Sequence, residues 1–429
     1  MDTGHGPKRE LNQEQNPEQA SEEYSFLQEI IKDEQKDLKK IVKKVVKWAI
    51  LGFVFGMTAC TGFFALKPWA ETTFQRDTDK VEIPKDEEAE EVTQPETVSE
   101  LVQQELTMED YRELNQVISE VAAEAKKCVV QVTGIAQDGS WANEQDAGAL
   151  QSAGLIVADN GRELLILTNY SSVKSASLFQ VEFADGTDHE AVLKQKDGTI
   201  DLAIFSVAKS GISEDTWAQI KVAELGNSNT LQQGRTLIAV GSPFGYADGV
   251  GYGVASSVEE LIVHADGKYS VIITDMPGAQ KGSGFLFDTY GKVQGIIDSS
   301  FIDDGSNGIL SAIGISAVKS EIELMSNGKN VPYVGIVGTV VTAEMSEAQG
   351  IPEGLYVTEV EVDSPAMKAG IQSGDVITKV GSRKVSDLEA YRKAILEQEA
   401  GKTITLTGQR RGAENYVDIK FSVTVGVKQ

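Results

Sequence analysis

The sequence predicts a mostly-β protein, with two small β-barrels and then a compact β domain carrying one packed helix, all behind an N-terminal membrane-spanning helix. Three observations predict it. After residue 128, short stretches rich in Val, Ile, Leu and Phe recur between Gly, Asp and Asn turns, with no repeated helical pattern between them. From Pro332 onward the strand spacing continues, but one helical stretch, 386–398, is set into it. Near the N-terminus, Trp48 to Leu66 is an uncharged run about 19 residues long, close to what a helix needs to cross the hydrocarbon layer.

Residues 1–47 form a charged segment, expected to be cytoplasmic, whose first 20 residues look disordered. Its Phe26, Leu27, Ile30, Ile31, Leu38, Ile41, Val42 and Val45 recur at helical spacing, as a charged extension of the anchor or as a membrane-surface or partner helix. Lys39, Lys40, Lys43, Lys44 and Lys47 precede the apolar run 48–66, and the chain turns acidic after Lys67. The positive-inside rule therefore predicts a single-pass cell-membrane protein with its N-terminus in the cytoplasm and its bulk outside. The long charged leader favours an uncleaved anchor over a signal peptide. Residues 67–104, with Glu87-Glu88 and Glu90-Glu91, hold too few large apolar groups for a core and read as an acidic linker.

Thr107 followed by Asp110 predicts a helix N-cap, with Tyr111, Leu114, Ile118 and Val121 as the apolar stripe of that helix. Strands are expected at 129–133, 152–157, 163–168, 177–183, 191–196 and 202–207. A second series is expected at 236–240, 251–257, 270–274, 284–288, 292–297 and 310–313. Together they make one domain over 105–325. A second domain over 331–425 has strand candidates at 335–341, 354–361, 375–380, 402–408 and 415–424.

Composition narrows the function. The chain of 429 residues is long enough for two or three domains, and 39 Lys and Arg against 65 Asp and Glu give a net charge of -26, which disfavours nucleic acid as a partner. Two cysteines, Cys60 and Cys128, exclude a disulfide framework, and Cys128 reads as a small buried hydrophobe. With three histidines, His5, His189 and His264, no clustered metal site is expected and no cofactor is implied. His189 and His264 stand beside Asp- and Gly-rich turns and read as solvent-facing loop residues.

Several short motifs follow one another in a telling order. They are Ser152-Ala153-Gly154, Leu167-Thr168-Asn169, Asp201-Leu202-Ala203, Gly241-Ser242-Pro243-Phe244-Gly245, Thr274-Asp275, and Gly282-Ser283-Gly284 before Gly291-Lys292-Val293-Gln294-Gly295-Ile296. Tyr333-Val334-Gly335-Ile336 and the run Asp363-Ser364-Pro365-Ala366 through Ala369-Gly370 to Gly374-Asp375 come after them. Over roughly residues 112–425 the chain resembles the HtrA/Deg family of trypsin-like serine proteases with a C-terminal PDZ domain. The resemblance implies a trypsin-like double β-barrel followed by a PDZ domain, and a possible homotrimer.

The resemblance places Ser171 where the family has its catalytic histidine and Asp201 where it has its aspartate. A serine hydroxyl has no imidazole-like basicity near neutral pH, so Ser171 cannot take the proton of a nucleophile. The nucleophile register stays open: counting forward from Thr274-Asp275 reaches Ser283, whereas counting backward from Gly295-Ile296 reaches Gly282. Backbone amides near Gly282 and Ser283 are candidates for an anion-holding turn, and Lys281 for a substitute base. These positions therefore form a degenerate site without a confident catalytic residue.

In the PDZ unit, Tyr333, Val334, Gly335 and Ile336 match the carboxylate-binding loop, whose amides receive a peptide terminus, and Leu388, Tyr391 and Ile395 share the helix face expected to line the groove. The leading expectation is a membrane-anchored extracytoplasmic pseudoprotease that binds peptide C-termini, unfolded polypeptide or envelope proteins. The alternatives are an HtrA-like serine endopeptidase in envelope protein quality control and a structural envelope protein without an accessible peptide site.

Overall fold

A computed structural model of the protein describes residues 80–86, 107–135, 150–298 and 308–428, with scattered positions between 43 and 57. The chain divides into one unit up to Arg76 and another from Asp77 to Gln429.

Helix α1 (Met108–Lys126) opens the larger unit. Thr107 Oγ1 accepts from Asp110 N at 3.3 Å and Asp110 Oδ2 accepts from Thr107 N at 2.7 Å, a reciprocal capping box that satisfies two otherwise unpaired amides. The expected stripe is buried only in its second half: Ile118 and Val121 pack on the core, while Tyr111 and Leu114 are exposed.

Six strands, β1 (Val129–Ile135), β2 (Gln151–Asp159), β3 (Glu163–Asn169), β4 (Leu178–Glu182), β5 (Asp188–Asp197) and β6 (Leu202–Ala208), close into a barrel in the order β1-β2-β3-β6-β5-β4. Six more, β7 (Thr236–Ser242), β8 (Gly249–His264), β9 (Gly267–Pro277), β10 (Ser283–Phe287), β11 (Val293–Asp298) and β12 (Ile309–Gly314), close a second barrel in the order β10-β11-β12-β9-β8-β7. Closure removes the unpaired edges that open sheets expose. Each barrel has its own core, and a third cluster lies between them, joining Ala153, Leu155 and Leu167 to Ile238, Phe285 and Phe287. There the backbones come close: a Cβ on Gly241 would lie 2.8 Å from Gly284 Cα and 2.9 Å from Ala153 Cβ.

Helix α2 (Lys319–Ser326) follows and covers the same cluster. Of the expected acidic linker, residues 80–86 are described. Val81 and Ile83 are buried, Val81 N donates to Asn327 Oδ1 at 2.9 Å, and Lys319 Nζ pairs with Asp86 at 2.6 Å.

The last sheet runs β13 (Ile336–Val341), β14 (Gly354–Val360), β15 (Val376–Val380), β17 (Thr403–Arg411), β18 (Tyr416–Thr424), with β16 (Arg383–Lys384) paired to β15. Helices α3 (Ala343–Gln349), α4 (Pro365–Lys368) and α5 (Leu388–Leu396) accompany it. Its core gathers Ile336, Leu355, Ile377, Tyr391, Ile395 and Leu406.

The expected membrane helix is corrected. Among the described residues no helix is long and apolar enough to cross a membrane. Within 48–66 the described helical positions are Trp48, Ala49, Leu51, Phe53 and Met57, and the rest of that run lies outside the described residues. Crossing needs about 20 consecutive apolar helical residues, and the described positions do not supply them. The single-pass topology, the cytoplasmic N-terminus and the membrane-anchored localisation derived from that run are therefore withdrawn.

Two local expectations also change. The β8–β9 hairpin reaches well beyond the expected 251–257 and 270–274, because its outer part leaves the barrel and carries Glu259 and Glu260 on exposed positions that break the apolar alternation. The tip of that hairpin, Ala265-Asp266-Gly267, is buried against the PDZ unit, so His264 ends a half-buried strand and is not a solvent-facing loop residue. Burial pulls its imidazole below the ordinary value, helped by the nearby Lys428 charge. His189 is likewise a half-buried strand residue of β5, its ring 5.1 Å from that of Phe183. Cys128 is buried, and burial pushes its thiol up to about 12, so it is inert at neutral pH.

Candidate functional site

Between the barrels, β3 ends at Asn169 and the next turn brings Ser171 against Asp201. Ser171 N donates to Asp201 Oδ1 at 2.8 Å and Tyr170 N donates to Asp201 O at 2.9 Å. Asp201 holds this turn with φ of 55°, a left-handed conformation that Asp tolerates better than most residues. Burial pushes its carboxyl above the ordinary range, the bonds from Ser171 oppose that shift, and the charge of Asp298 adds to it. Asp298 in turn accepts from Asn169 Nδ2 at 3.0 Å. The carboxylate that would orient an imidazole in a proton relay thus caps a backbone amide.

Ser283 opens β10 opposite Ser242 of β7 and Asp298 of β11, and it is buried. Its Oγ accepts from Ala153 N at 3.0 Å, while Ala153 O accepts from Thr168 Oγ1 at 2.8 Å. Three of the sequence motifs therefore meet at one residue, Ala153, where β2, β3 and β10 converge. Gly282 N already donates to Ala279 O at 2.9 Å, and a Cβ on Gly282 would lie 2.5 Å from Pro243 O. Lys281 is exposed. Neither described histidine is among the hydrogen-bond partners of Ser283. Without a base bonded to it among the described residues, a serine hydroxyl remains a weak nucleophile at neutral pH.

The second constellation lies in the C-terminal unit. Gly335 has φ of 92°, which turns the amides of Val334, Gly335 and Ile336 toward one point. A carboxylate fills that point. Asp266 Oδ2 accepts from Val334 N at 2.6 Å and Gly335 N at 2.7 Å, and Asp266 Oδ1 accepts from Ile336 N at 3.1 Å and Tyr391 Oη at 2.7 Å. Asp266 N donates to Ile336 O at 2.7 Å. Burial pushes the Asp266 carboxyl up, and the amides and the Tyr391 hydroxyl oppose that shift by bonding its charged form. The structure brings the Val334, Gly335 and Ile336 amides and the Tyr391 hydroxyl to one carboxylate, while Leu388, Tyr391 and Ile395, expected to line a groove, are buried in the core of this unit. Tyr333 points its hydroxyl at Glu361, and Lys428 Nζ stands 5.7 Å from its ring.

Residues 152–296 match a trypsin-like peptidase domain and residues 311–421 match a PDZ domain. The chain carries an HtrA/DegP-like trypsin-fold domain with a C-terminal PDZ domain. Among its relatives, the serine protease Do-like HtrA of Lactobacillus helveticus is 28% identical over 64% of this chain and 68% of its own length. The periplasmic serine endoprotease DegP of Escherichia coli K12 is 28% identical over 65% of this chain and 58% of its own. The solved HtrA-type protease AlgW with a tripeptide shares the fold, with a TM-score of 0.50, 22% identity, and coverage of 73% of this chain and 97% of that one.

The expected trimer of this HtrA-like chain is withdrawn, because neither the matched domains nor the barrel geometry carries an assembly state. Sequence reading missed two residues that shape the PDZ site. Asp266 sits in an Asp-Gly pair that signals only a turn, and Arg392 sits among charged residues that signal only a solvated helix face. Among the described residues, no group of three or more His, Cys, Asp or Glu is placed to hold a metal.

Proposed function

We propose that the chain serves extracytoplasmic protein quality control as an HtrA-like protein of the serine-endopeptidase type, engaging polypeptide ends through its PDZ loop. The membrane anchor of the expected pseudoprotease is dropped, since it rested on a crossing helix that the described residues do not provide, and against the missing histidine that suggested a pseudoprotease the relatives' names, serine protease and periplasmic endoprotease, favour the endopeptidase alternative. The observation that carries the reading is the convergence of the Val334, Gly335 and Ile336 amides on one carboxylate, the arrangement by which a peptide terminus is held.

In this reading, peptide-bond cleavage falls to Ser283. Its rate is low, because losing the histidine of a catalytic triad costs about 10^6 in kcat in a well-studied serine protease, and here Ser171 offers no imidazole. Two observations favour a second reading, engagement without cleavage: the Ser283 hydroxyl accepts from Ala153 N, and the Asp201 carboxylate accepts from Ser171 N.

The full-length protein is expected to retain a reduced, carboxymethylated reporter protein. It is also expected to release fragments far more slowly than a complete triad would, and Ser283→Ala is expected to abolish the fragments while leaving retention unchanged. Mass spectrometry of the reporter checks this. Fragments that persist in Ser283→Ala would contradict the role of Ser283, retention with no fragments in either protein would establish the second reading, and a reporter neither held nor cut would contradict both.

A further inference from the structure

We propose that Asp266 is an internal ligand of the PDZ carboxylate loop, so that a polypeptide's C-terminal carboxylate gains the site only by displacing the tip of the β8–β9 hairpin. The proposal rests on the reading that this loop receives polypeptide ends, and it assigns that site a built-in competitor.

The last residue of a polypeptide presents two things to a strand-and-loop site: a carboxylate and its own backbone N–H. Asp266 presents both. Its carboxylate takes the amides of Val334, Gly335 and Ile336, and its N–H donates to Ile336 O. The hydrogen-bonding capacity of the loop is thereby satisfied from within the chain, and by a residue of the barrel domain. Asp266 reaches this position because the long hairpin projects out of the barrel and turns at its tip with Asp266 at φ of 62°.

The helix that would form the other wall of a peptide groove is engaged by the same hairpin. From α5, Tyr391 Oη donates to Asp266 Oδ1 at 2.7 Å, and the neighbouring Arg392 lies 4.0 Å from the centre of the Tyr269 ring, with Nη1 donating to Lys268 O at 3.5 Å. Arg392 also pairs with Glu321 of α2. Two consecutive residues of α5 therefore hold Asp266, Lys268 and Tyr269 at the end of the hairpin. A peptide lying along α5 meets the hairpin both at its terminus and at its flank. The fraction of molecules with the tip withdrawn sets the apparent affinity for any external terminus, since binding to a partly populated state is weakened by that fraction. By linkage, a peptide that occupies the loop frees the hairpin of the barrel that carries Ser283.

The test compares full-length wild type, Asp266→Ala and Asp266→Asn. The probe is a fluorescein-labelled pool of decapeptides, randomised except for a C-terminal valine, prepared with a free carboxylate and with an amide. Fluorescence anisotropy gives the affinities, and hydrogen exchange at Val334, Gly335 and Ile336 reports whether the internal contact is broken. Asp266→Ala is expected to bind the free-carboxylate pool about 10-fold or more tightly than wild type, with faster exchange at the three amides and no gain for the amidated pool. Asp266→Asn, which keeps the side-chain volume, is expected to gain in the same direction by less, and it carries the comparison if alanine loosens the fold. Equal preference for the free carboxylate in all three proteins, at one affinity, would overturn the internal ligand and leave the peptide-terminus reading standing. No preference in any of them would overturn that reading, and the internal ligand with it.

Discussion

Arg392→Ala is expected to destabilise the folded protein by about 3–5 kcal/mol, the typical cost of removing one partner from a buried ion pair. The side chain of Glu321 is 2% exposed and that of Arg392 11%, so the guanidinium is the counter-charge of a carboxylate that water does not reach. Among the described residues Glu321 Oε2 has no hydrogen-bond partner, which leaves this carboxylate more dependent on Arg392. The same substitution removes the guanidinium from the Tyr269 ring and the hydrogen bond to Lys268 O. Urea unfolding checks the magnitude. The double variant Arg392→Met with Glu321→Leu is expected to recover most of the loss, because replacing both charges with apolar groups of similar volume leaves nothing unpaired. A loss below about 1 kcal/mol for Arg392→Ala, the range of an exposed pair, would contradict the burial described here.

Gly335→Val is expected to abolish carboxylate recognition by the loop and to lower stability by about 2 kcal/mol or more, in the range of strained backbone and overpacked sites. At φ of 92° a β-branched residue is strained whatever the surroundings. The surroundings are also closed: a Cβ would lie 2.4 Å from Ser364 Cβ and 2.8 Å from Tyr333 Oη. Relief requires the backbone of 334–336 to move, which separates the three amides that meet at the carboxylate. Thermal melting together with free-carboxylate peptide binding checks both effects. Wild-type affinity in Gly335→Val would show that the convergence of these amides is not what binds a terminus.

The strands were legible because barrel strands bury one face densely, and stretches such as Leu164 to Leu167 or Phe285 to Phe287 announce that burial in composition alone. Thr107 with Asp110 was legible as a cap because capping is local chemistry. The alignment of Ser171 with Asp201 was legible as a motif, and the structure adds that the pair is joined through a backbone amide. What was hidden depends on partners distant in sequence. Asp266 and Gly335 meet across 69 residues, and an Asp-Gly pair reads the same whether its carboxylate faces water or three amides. Arg392 and Glu321 are separated by 71 residues and look like surface charges until both are found inside. The apolar run 48–66 misled in the opposite way, since hydropathy alone suggested a crossing helix that the described residues do not show. Tyr111 and Leu114 fit the helical period of α1 and yet stay exposed, because the core meets only the last turns of that helix.

Recognition of polypeptide ends by the loop 333–336 is tested most directly by the amide resonances of Val334, Gly335, Ile336 and Asp266 in the full-length protein during titration with a decapeptide of free C-terminus and its amidated twin. The free-carboxylate peptide is expected to move all four resonances together, as one carboxylate replaces another and the Asp266 N–H leaves Ile336 O, while the amidated twin leaves them in place. Peptide binding that shifts resonances elsewhere and none of these four would contradict it.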